Sequence, residues 1–131
     1  MTSIFSKIAN HEVSSVIVHE DELIMAIMDI NPIQPGQVVV FPKQQISTIW
    51  DMSSDCYLSM MNVVQTCGQK LRLAFPEKDR IGVMVEGLEV RDHAHVKLFP
   101  FSTLDEFHSA PNPNNHPPKT ELEHIAAKLL F

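Results

Sequence analysis

Residues 91–100, RDHAHVKLFP, carry three ionisable side chains at alternate positions: His93, His95 and Lys97. The residues between them, Ala94 and Val96, are apolar. Successive side chains of a β-strand point to opposite faces, so this alternation predicts that the ionisable groups share one face while the apolar groups face a core. A strand here would bring two imidazoles and one ammonium group together on that face.

Three interpretations fit this arrangement. The first is a solvated strand face without chemical purpose, since short motifs specify function only loosely. The second is a metal site, because imidazole nitrogens ligate transition metals. Gly87 even stands before His93 as in the cupin motif, but Phe99 and Pro100 follow where a glutamate ligand is needed. The third is covalent catalysis, because a neutral imidazole is a good nucleophile toward phosphorus at pH 7.

Composition narrows the class of protein. A chain of 131 residues, 44% hydrophobic and 20% charged, is typical of one soluble globular domain that is long enough to bury a core. No apolar run approaches the roughly 20 residues that span a bilayer, and the first residues, MTSIFSKIANHE, lack a long apolar segment. We therefore expect a cytoplasmic protein that does not associate with a membrane.

Charge and cysteine content limit the partners. A formal net charge of -6 argues against nucleic-acid binding, which depends on clustered Lys and Arg, but it allows a small phosphate ligand in a locally positive site. Cys56 and Cys67 fall in one predicted helix at a spacing that suits no common zinc motif. We interpret both as reduced core residues and expect neither a metal nor another cofactor.

The periodicity of apolar residues predicts an α+β fold with an antiparallel sheet of about five strands. A short helix opens at Ser3, and a long helix, capped by Ser53 or Ser54, runs from about Asp55 to Leu73. The proline-rich segment STLDEFHSAPNPNNHPPK predicts a loop, and a C-terminal helix follows with Thr120 and Glu123 at capping-box spacing. The predicted strands are SSVIVHED, ELIMAIMDI, QVVVFP, RIGVMVEG and HAHVKLF.

DHAHVKLFP resembles the signature of the histidine triad (HIT) family, His-x-His-x-His followed by two apolar residues. The resemblance continues upstream, where residues 29–32 match the family's Asp-Ile-Asn-Pro and PGQVVVFPK is similar to its Pro-Gly-His strand ending in Pro-Lys. It covers residues 1–107 of a single domain, 1–131, and leaves 108–131, a loop plus the last helix, unmatched. The chain is identified as a divergent member in which Lys97 replaces the third histidine.

The resemblance implies a HIT-like fold, a homodimer and a purine nucleotide substrate. It makes His95 the nucleophile that attacks the α-phosphorus of a nucleoside phosphoramidate or dinucleoside polyphosphate, with a nucleotidyl-histidine intermediate. It makes the backbone carbonyl of His93 the group that fixes the tautomer of His95, while the His93 ring helps to shape the pocket. Asp29 would accept hydrogen bonds from the ribose hydroxyls, and Ile8, Ile27 and Ile30 would form the wall against the base.

Four departures from the family pattern bear on this assignment. Lys97 would lie near the bridging atom of the leaving group, where it can stabilise negative charge but is a poor proton donor. Gln37 stands where many members have histidine, and Glu89 stands where some have a small hydroxyl residue beside the phosphate. Ser3 and Ser6 replace the Cys-x-x-Cys with which some relatives bind zinc. Two functions therefore stay open: a HIT-type hydrolase or transferase, and a purine nucleotide binder without catalysis.

Overall fold

The computed structural model describes residues 1–111, 113–114 and 116–131. In this part of the chain, five antiparallel strands form one sheet in the order β1-β2-β3-β5-β4. The strands are β1 (Ile17–Glu20), β2 (Ile24–Met28), β3 (Val38–Pro42), β4 (Arg80–Met84) and β5 (Val96–Phe101). The helices are α1 (Ile4–Ala9), α2 (Ser54–Ala74), α3 (Leu104–Phe107) and α4 (Lys119–Ala127), with a 3₁₀ turn at Ile49–Asp51. The α+β class and the five-stranded sheet are as predicted.

The two strands β2 and β3 are buried on both faces, which explains their unbroken apolar sequences, IMAIM and VVVFP. Alternate residues pack in two separate layers. One layer lies against α2 and contains Ile24, Ala26, Met28, Val38 and Val40. The other lies against α1 and contains Met25, Ile27, Val39 and Phe41 together with Phe5 and Ile8. The face that carries α1 is the one on which the candidate site forms.

The long helix α2 packs against the face of the sheet opposite to α1. Ser53 caps it by accepting a hydrogen bond from the backbone N–H of Cys56, and Asp55 places a negative charge in its first turn. Its buried stripe includes Met60, Cys67 and Leu71, at the helical spacing that the sequence predicted. Cutting a fully buried leucine such as Leu71 to alanine costs about 2–5 kcal/mol, so this packing fixes the sheet firmly.

The strand β5 begins at Val96, not at His93, so the predicted strand HAHVKLF is wrong in its first three residues. Pairing of β3 with β5 starts at Val40 and Val96. Before that point the backbone N–H of Ala94 donates to the carbonyl of Ile46 at 2.6 Å instead of to a neighbouring strand. The two histidines therefore precede the regular ladder, and hydrogen bonds outside it hold their rings.

The C-terminal part differs from the prediction in two places. The short helix α3 forms within the predicted loop, because Thr103 and Glu106 cap it reciprocally. The loop prediction also covers residues 112 and 115, which lie outside the described residues. Residues 113–114 form a turn and residues 116–118 belong to no helix or strand, as expected for a proline-rich segment.

The last helix, α4, begins at Lys119 after Pro118, so Thr120 lies inside it and the predicted capping box with Glu123 is wrong. A proline fixes its own φ near the helical value, which favours a helix start at this point. The apolar side chains of this C-terminal segment face the core. They include Leu122, Ala126 and Leu129, which pack in the core layer under α2.

Candidate active site

A cavity of about 260 Å³ opens on the α1 face of the sheet. Seven of the nine predicted site residues line it: Ile8, Ile27, Asp29, Ile30, Glu89, His95 and Lys97. The register of the sheet sets their order, because Ile27 pairs with Val39 and Val39 pairs with Lys97. Adjacent strands are about 4.8 Å apart, so Ile27 in the apolar wall and the strand that carries Lys97 lie roughly 10 Å from each other.

His95 is held in a single orientation inside this cavity, and only 2% of the residue is exposed. Its Nδ1 lies 2.9 Å from the backbone carbonyl oxygen of His93. A carbonyl oxygen can only accept, so Nδ1 carries the proton. In the neutral ring the lone pair therefore resides on Nε2, which is the state required of a nucleophile. The ring of Phe5 packs beside it, with centroids 4.9 Å apart.

The ring of His93 lies on the α1 face of the sheet, as that of His95 does, and packs edge-on against Phe5 and Phe41. It is not among the residues that line the cavity, and it contacts the pocket wall through Phe5. The ring is fully buried, with Nε2 2.6 Å from the carbonyl oxygen of Pro42 and Nδ1 2.7 Å from the hydroxyl of Ser3. Nε2 must donate to the carbonyl oxygen, so in the neutral ring Nδ1 is the acceptor. Burial is the largest effect on this group and lowers the pKa of His93 below its ordinary value.

A polar cluster, formed by Ser3, Ser6, Gln45 and His93, surrounds that ring. The Gln45 amide oxygen accepts from the Ser3 backbone N–H and from the Ser6 hydroxyl, both at 2.9 Å. The Ser3 hydroxyl caps α1 by accepting from the backbone N–H of Ser6. The polar cluster thereby joins the start of α1, the chain after β3 and the backbone that carries the carbonyl bonded to His95.

The donor set of the polar cluster does not fit the zinc that the family resemblance raises. Structural zinc sites take four ligands, mainly thiolate and imidazole, whereas this cluster offers one imidazole, two hydroxyls and an amide. The imidazole is moreover already committed to Pro42 and Ser3. Within residues 1–111, 113–114 and 116–131, no group of three or more His, Cys, Asp and Glu side chains is arranged to hold a metal ion.

The carboxylate of Asp29 is fixed at the end of β2 by two donors. Its Oδ1 accepts from the backbone N–H of Asn31 at 2.8 Å, and its Oδ2 accepts from Nε2 of Gln37 at 2.7 Å. Gln37 is only 1% exposed and does not line the His95 cavity, so it acts behind Asp29 and not as part of the wall. Each carboxylate oxygen has a second lone pair, which leaves Asp29 able to accept from a ligand hydroxyl.

Lys97 enters the cavity as part of an ion pair. Its Nζ lies 2.5 Å from Oε2 of Glu89 and 3.9 Å from Oε1 of Glu86. The lysine side chain is 4% exposed, whereas that of Glu89 is 51% exposed, so the carboxylate is on the solvent side of the pair. Burial works against ionisation of Glu86, but backbone N–H groups of Glu89 and Leu88, with help from Lys97, lower the pKa of Glu86.

Comparison with known proteins identifies a family. The family model described as HIT domain matches residues 10–103, which include the strands and the turns that form the cavity. The chain belongs to the HIT family. The resemblance drawn from DHAHVKLFP and from residues 29–32 is therefore confirmed, and the matched range lies within the predicted 1–107.

Curated HIT relatives share moderate identity with this chain. An uncharacterized HIT-like protein of Methanocaldococcus jannaschii is 32% identical over 100 residues, which cover 74% of this chain and 77% of that protein. A purine nucleoside phosphoramidase of Escherichia coli strain K12 is 40% identical over 53 residues, or 40% of this chain and 44% of that enzyme. The chain thus spans about half the length, or less, of some curated relatives that it matches.

A solved HIT structure matches along nearly the whole chain. The crystal structure of a HIT-like protein from Bartonella henselae superposes with a TM-score of 0.84 at 29% identity, covering 98% of this chain and 93% of that one. The structural similarity therefore extends beyond residues 1–107, the part of the chain whose motifs were recognised.

Sequence reasoning missed several parts of this HIT site. Ser14, Ser15 and Val90 line the cavity, and Gln45 supports His93 from outside it. The serines and Val90 lie in loops, where no periodicity indicates a side-chain direction. Phe5, which stacks on Phe41 and packs beside His95, could have been found from its position three residues before Ile8 on α1.

Proposed function

We propose that this HIT protein is a hydrolase or transferase that cleaves a nucleotide substrate at its α-phosphorus through a nucleotidyl-histidine intermediate on His95. The observation that carries the proposal is the bond from Nδ1 of His95 to the carbonyl oxygen of His93, because it puts the lone pair on Nε2. The ring lines the same cavity as a carboxylate, an ammonium group and an apolar wall. The name of the Escherichia coli relative, purine nucleoside phosphoramidase, supports a purine nucleoside phosphoramidate as the substrate.

In the first step the lone pair of Nε2 attacks phosphorus, and the bond from phosphorus to the leaving atom breaks with its electron pair on that atom. The His95 ring becomes cationic, and the His93 carbonyl stabilises it through the Nδ1 hydrogen bond. For a phosphoramidate, Lys97 gives a proton to the departing nitrogen. The Lys97 side chain lines the same cavity as His95, and its ammonium group has the N–H donors for this transfer.

In the second step water attacks the phosphorus of the nucleotidyl-histidine. The bond from phosphorus to Nε2 breaks, its electron pair returns to the ring, and the proton of the water restores the Lys97 ammonium. The sum is addition of one water molecule across the bond from phosphorus to nitrogen, which yields a nucleoside monophosphate and an amine. An acceptor other than water would give transfer instead of hydrolysis.

Recognition of the nucleoside is assigned to the other end of the cavity. Asp29 accepts from the ribose hydroxyls, since its two oxygens are fixed by Asn31 and Gln37 and retain acceptor capacity. Ile8, Ile27 and Ile30 lie against the base, and burial of Ile30, which is 63% exposed, would add apolar contact area.

A second candidate is a purine nucleotide binder without turnover. The pairing of Lys97 with Glu89 favours it, because a lysine held by a carboxylate is less available to a leaving group. Calorimetry with AMP and rate measurements with adenosine phosphoramidate separate the two functions. Binding of AMP without turnover of an adenosine phosphoramidate or a dinucleoside polyphosphate would favour the nucleotide binder and contradict the hydrolase or transferase.

The experiment for catalysis compares two histidine variants. His95→Ala is expected to abolish turnover of adenosine phosphoramidate, whereas His124→Ala, on the exposed surface of α4, is expected to retain it. Turnover of His95→Ala at the wild-type rate would contradict the mechanism. Circular dichroism of both variants controls for loss of the fold.

We also propose that the protein is a homodimer. The strand β4 is at one edge of the sheet. Val83 within it and Val85 directly after it are 47% and 44% exposed, which favours pairing with a second copy. Sedimentation equilibrium that gives a stable monomer would contradict this.

No helix of the described residues has the length and apolar character needed to cross a membrane. The cytoplasmic location stays a prediction.

A further inference from the structure

The cavity around His95 has an unusual charge balance for a site that would hold phosphate groups. Among the described residues that line it, Lys97 is the one cation, and Asp29 and Glu89 are anions. Glu86 adds a further carboxylate 3.9 Å from the Lys97 ammonium. With His95 neutral, the lining carries more negative than positive charge, so each phosphate charge that enters meets a single cation already shared by two carboxylates.

The position of Glu89 puts the excess negative charge at the end of the cavity that faces the leaving group and not at the end that faces the nucleoside. Lys97 lies two strands away from Ile27, on the opposite side of the cavity from the apolar wall. Glu89 lies beyond Lys97 on the solvent side, in the turn that precedes His93. A group that departs from phosphorus toward solvent at this end would pass the Glu89 carboxylate.

The charge of the leaving group then decides whether the ion pair of Lys97 and Glu89 favours or opposes its departure. A polyphosphate would place several negative charges beside Glu89 and Glu86 with one ammonium to offset them. A leaving amine that carries an ammonium group elsewhere in its structure would instead take over the carboxylate of Glu89. This exchange leaves Lys97 without its closest anion, so its N–H groups become available to the departing atom.

We propose that Glu89 is a specificity-determining residue that selects leaving groups of positive charge. The preferred substrates are nucleoside phosphoramidates whose leaving amine bears a second, cationic amino group, and dinucleoside polyphosphates are disfavoured. This inference rests on the proposed α-phosphorus chemistry of His95 and adds to it the substrate class.

The test uses three adenosine phosphoramidates with leaving amines of equal length that end in an ammonium, a carboxamide or a carboxylate. For the wild-type protein we expect kcat/KM to fall in that order, by about tenfold from the first to the last. The size follows from a half-exposed carboxylate, where attraction and repulsion each change a rate by roughly threefold. The neutral carboxamide separates attraction of the cation from repulsion of the anion.

Two variants identify the residue responsible. Glu89→Gln keeps the size of the side chain and a hydrogen bond to Lys97, and is expected to bring the three kcat/KM values to within about twofold of each other. Glu22→Gln makes the same change of net charge in the turn between β1 and β2, and is expected to keep the wild-type order.

The outcomes separate this inference from the proposed function. Turnover with equal kcat/KM for the three substrates, or an order that persists in Glu89→Gln, would overturn the role of Glu89 while leaving the histidine chemistry intact. Loss of the order in Glu22→Gln would also overturn it, because the effect would then be one of net charge. No turnover of any of the three by the wild-type protein would overturn both.

Discussion

The amide nitrogen of Gln37 lies 2.7 Å from Oδ2 of Asp29. Asp29 lines both the His95 cavity and a neighbouring cavity beside α4, whereas Gln37 lines the neighbouring cavity and not that of His95. The amide oxygen of Gln37 accepts from the backbone N–H of Ile33 at 2.8 Å, so the side chain is fixed at both ends. Gln37 therefore orients the carboxylate that is proposed to hold the ribose, and does so without contacting the ligand.

Replacing Gln37 by leucine should weaken ribose recognition. We expect KM for adenosine phosphoramidate to rise about tenfold with little change in kcat, because the Asp29 carboxylate loses one fixed donor and is no longer oriented. The 2′,3′-dideoxy analogue serves as the control, since it has no hydroxyl for Asp29. An equal rise of KM for both compounds would contradict the positioning role and indicate a general loss of packing.

Replacing Ser3 by alanine should destabilise the protein more than loss of a helix cap alone. The change removes the cap of α1 and leaves the buried Nδ1 of His93 without its 2.7 Å partner. We expect the free energy of unfolding to fall by about 2–3 kcal/mol. Ser53→Ala removes only the cap of α2 and is expected to cost about 1 kcal/mol. Equal losses in urea denaturation would show that the bond to His93 contributes nothing.

The stability of the fold should decrease with acid through His93. Its pKa in the folded state is below the ordinary value of 6.5, so between those two pH values the unfolded chain binds a proton that the folded chain does not. The unfolded state is therefore favoured as the pH falls below 6.5, and the contribution is absent above it. Urea unfolding at pH 7.5, 6.5 and 5.5 checks this against His93→Gln, which should lose less stability on acidification. Parallel losses in both proteins would contradict the assignment.

Replacing Lys97 by methionine should impair the chemical step. The substitution keeps the length of the side chain but removes the cation next to the leaving atom, and we expect kcat for adenosine phosphoramidate to fall about 100-fold. Lys43→Met is the control, since Lys43 pairs with Glu20 away from the cavity and should retain the wild-type kcat. A kcat of Lys97→Met within twofold of the wild-type value would show that Lys97 takes no part in departure of the leaving group.

Local sequence determined much of this fold but only part of the site. The unbroken apolar runs of β2 and β3 and the helical stripe of α2 are properties of adjacent residues, and they predicted these elements closely. Alternation predicted the face of the sheet on which His93 lies, because its ring packs against Phe5 and Phe41 in the layer of α1. It did not predict the partners of that ring, the carbonyl of Pro42 and the hydroxyl of Ser3, because they lie far along the chain.

The support of the site was harder to predict than its centre. Gln45 reaches Ser3 and Ser6 from about 40 residues away, and no spacing in the sequence indicates that contact. Glu89 and Lys97 are close in sequence, yet whether the carboxylate turns toward the lysine depends on the turn that Glu86 caps. Residue types and motif spacing therefore predicted most of the side chains that meet at the cavity, and tertiary hydrogen bonds decided their orientation.

The most direct test of the account is to trap the covalent intermediate. Wild-type protein is mixed briefly with an adenosine phosphoramidate, quenched in base to preserve the bond from phosphorus to nitrogen, and examined by intact and peptide mass spectrometry. We predict one adenylyl group on the peptide that contains His95, and none in His95→Ala. Multiple turnovers without any adduct in the quenched samples, or an adduct on another residue that persists in His95→Ala, would contradict the claim that His95 is the nucleophile.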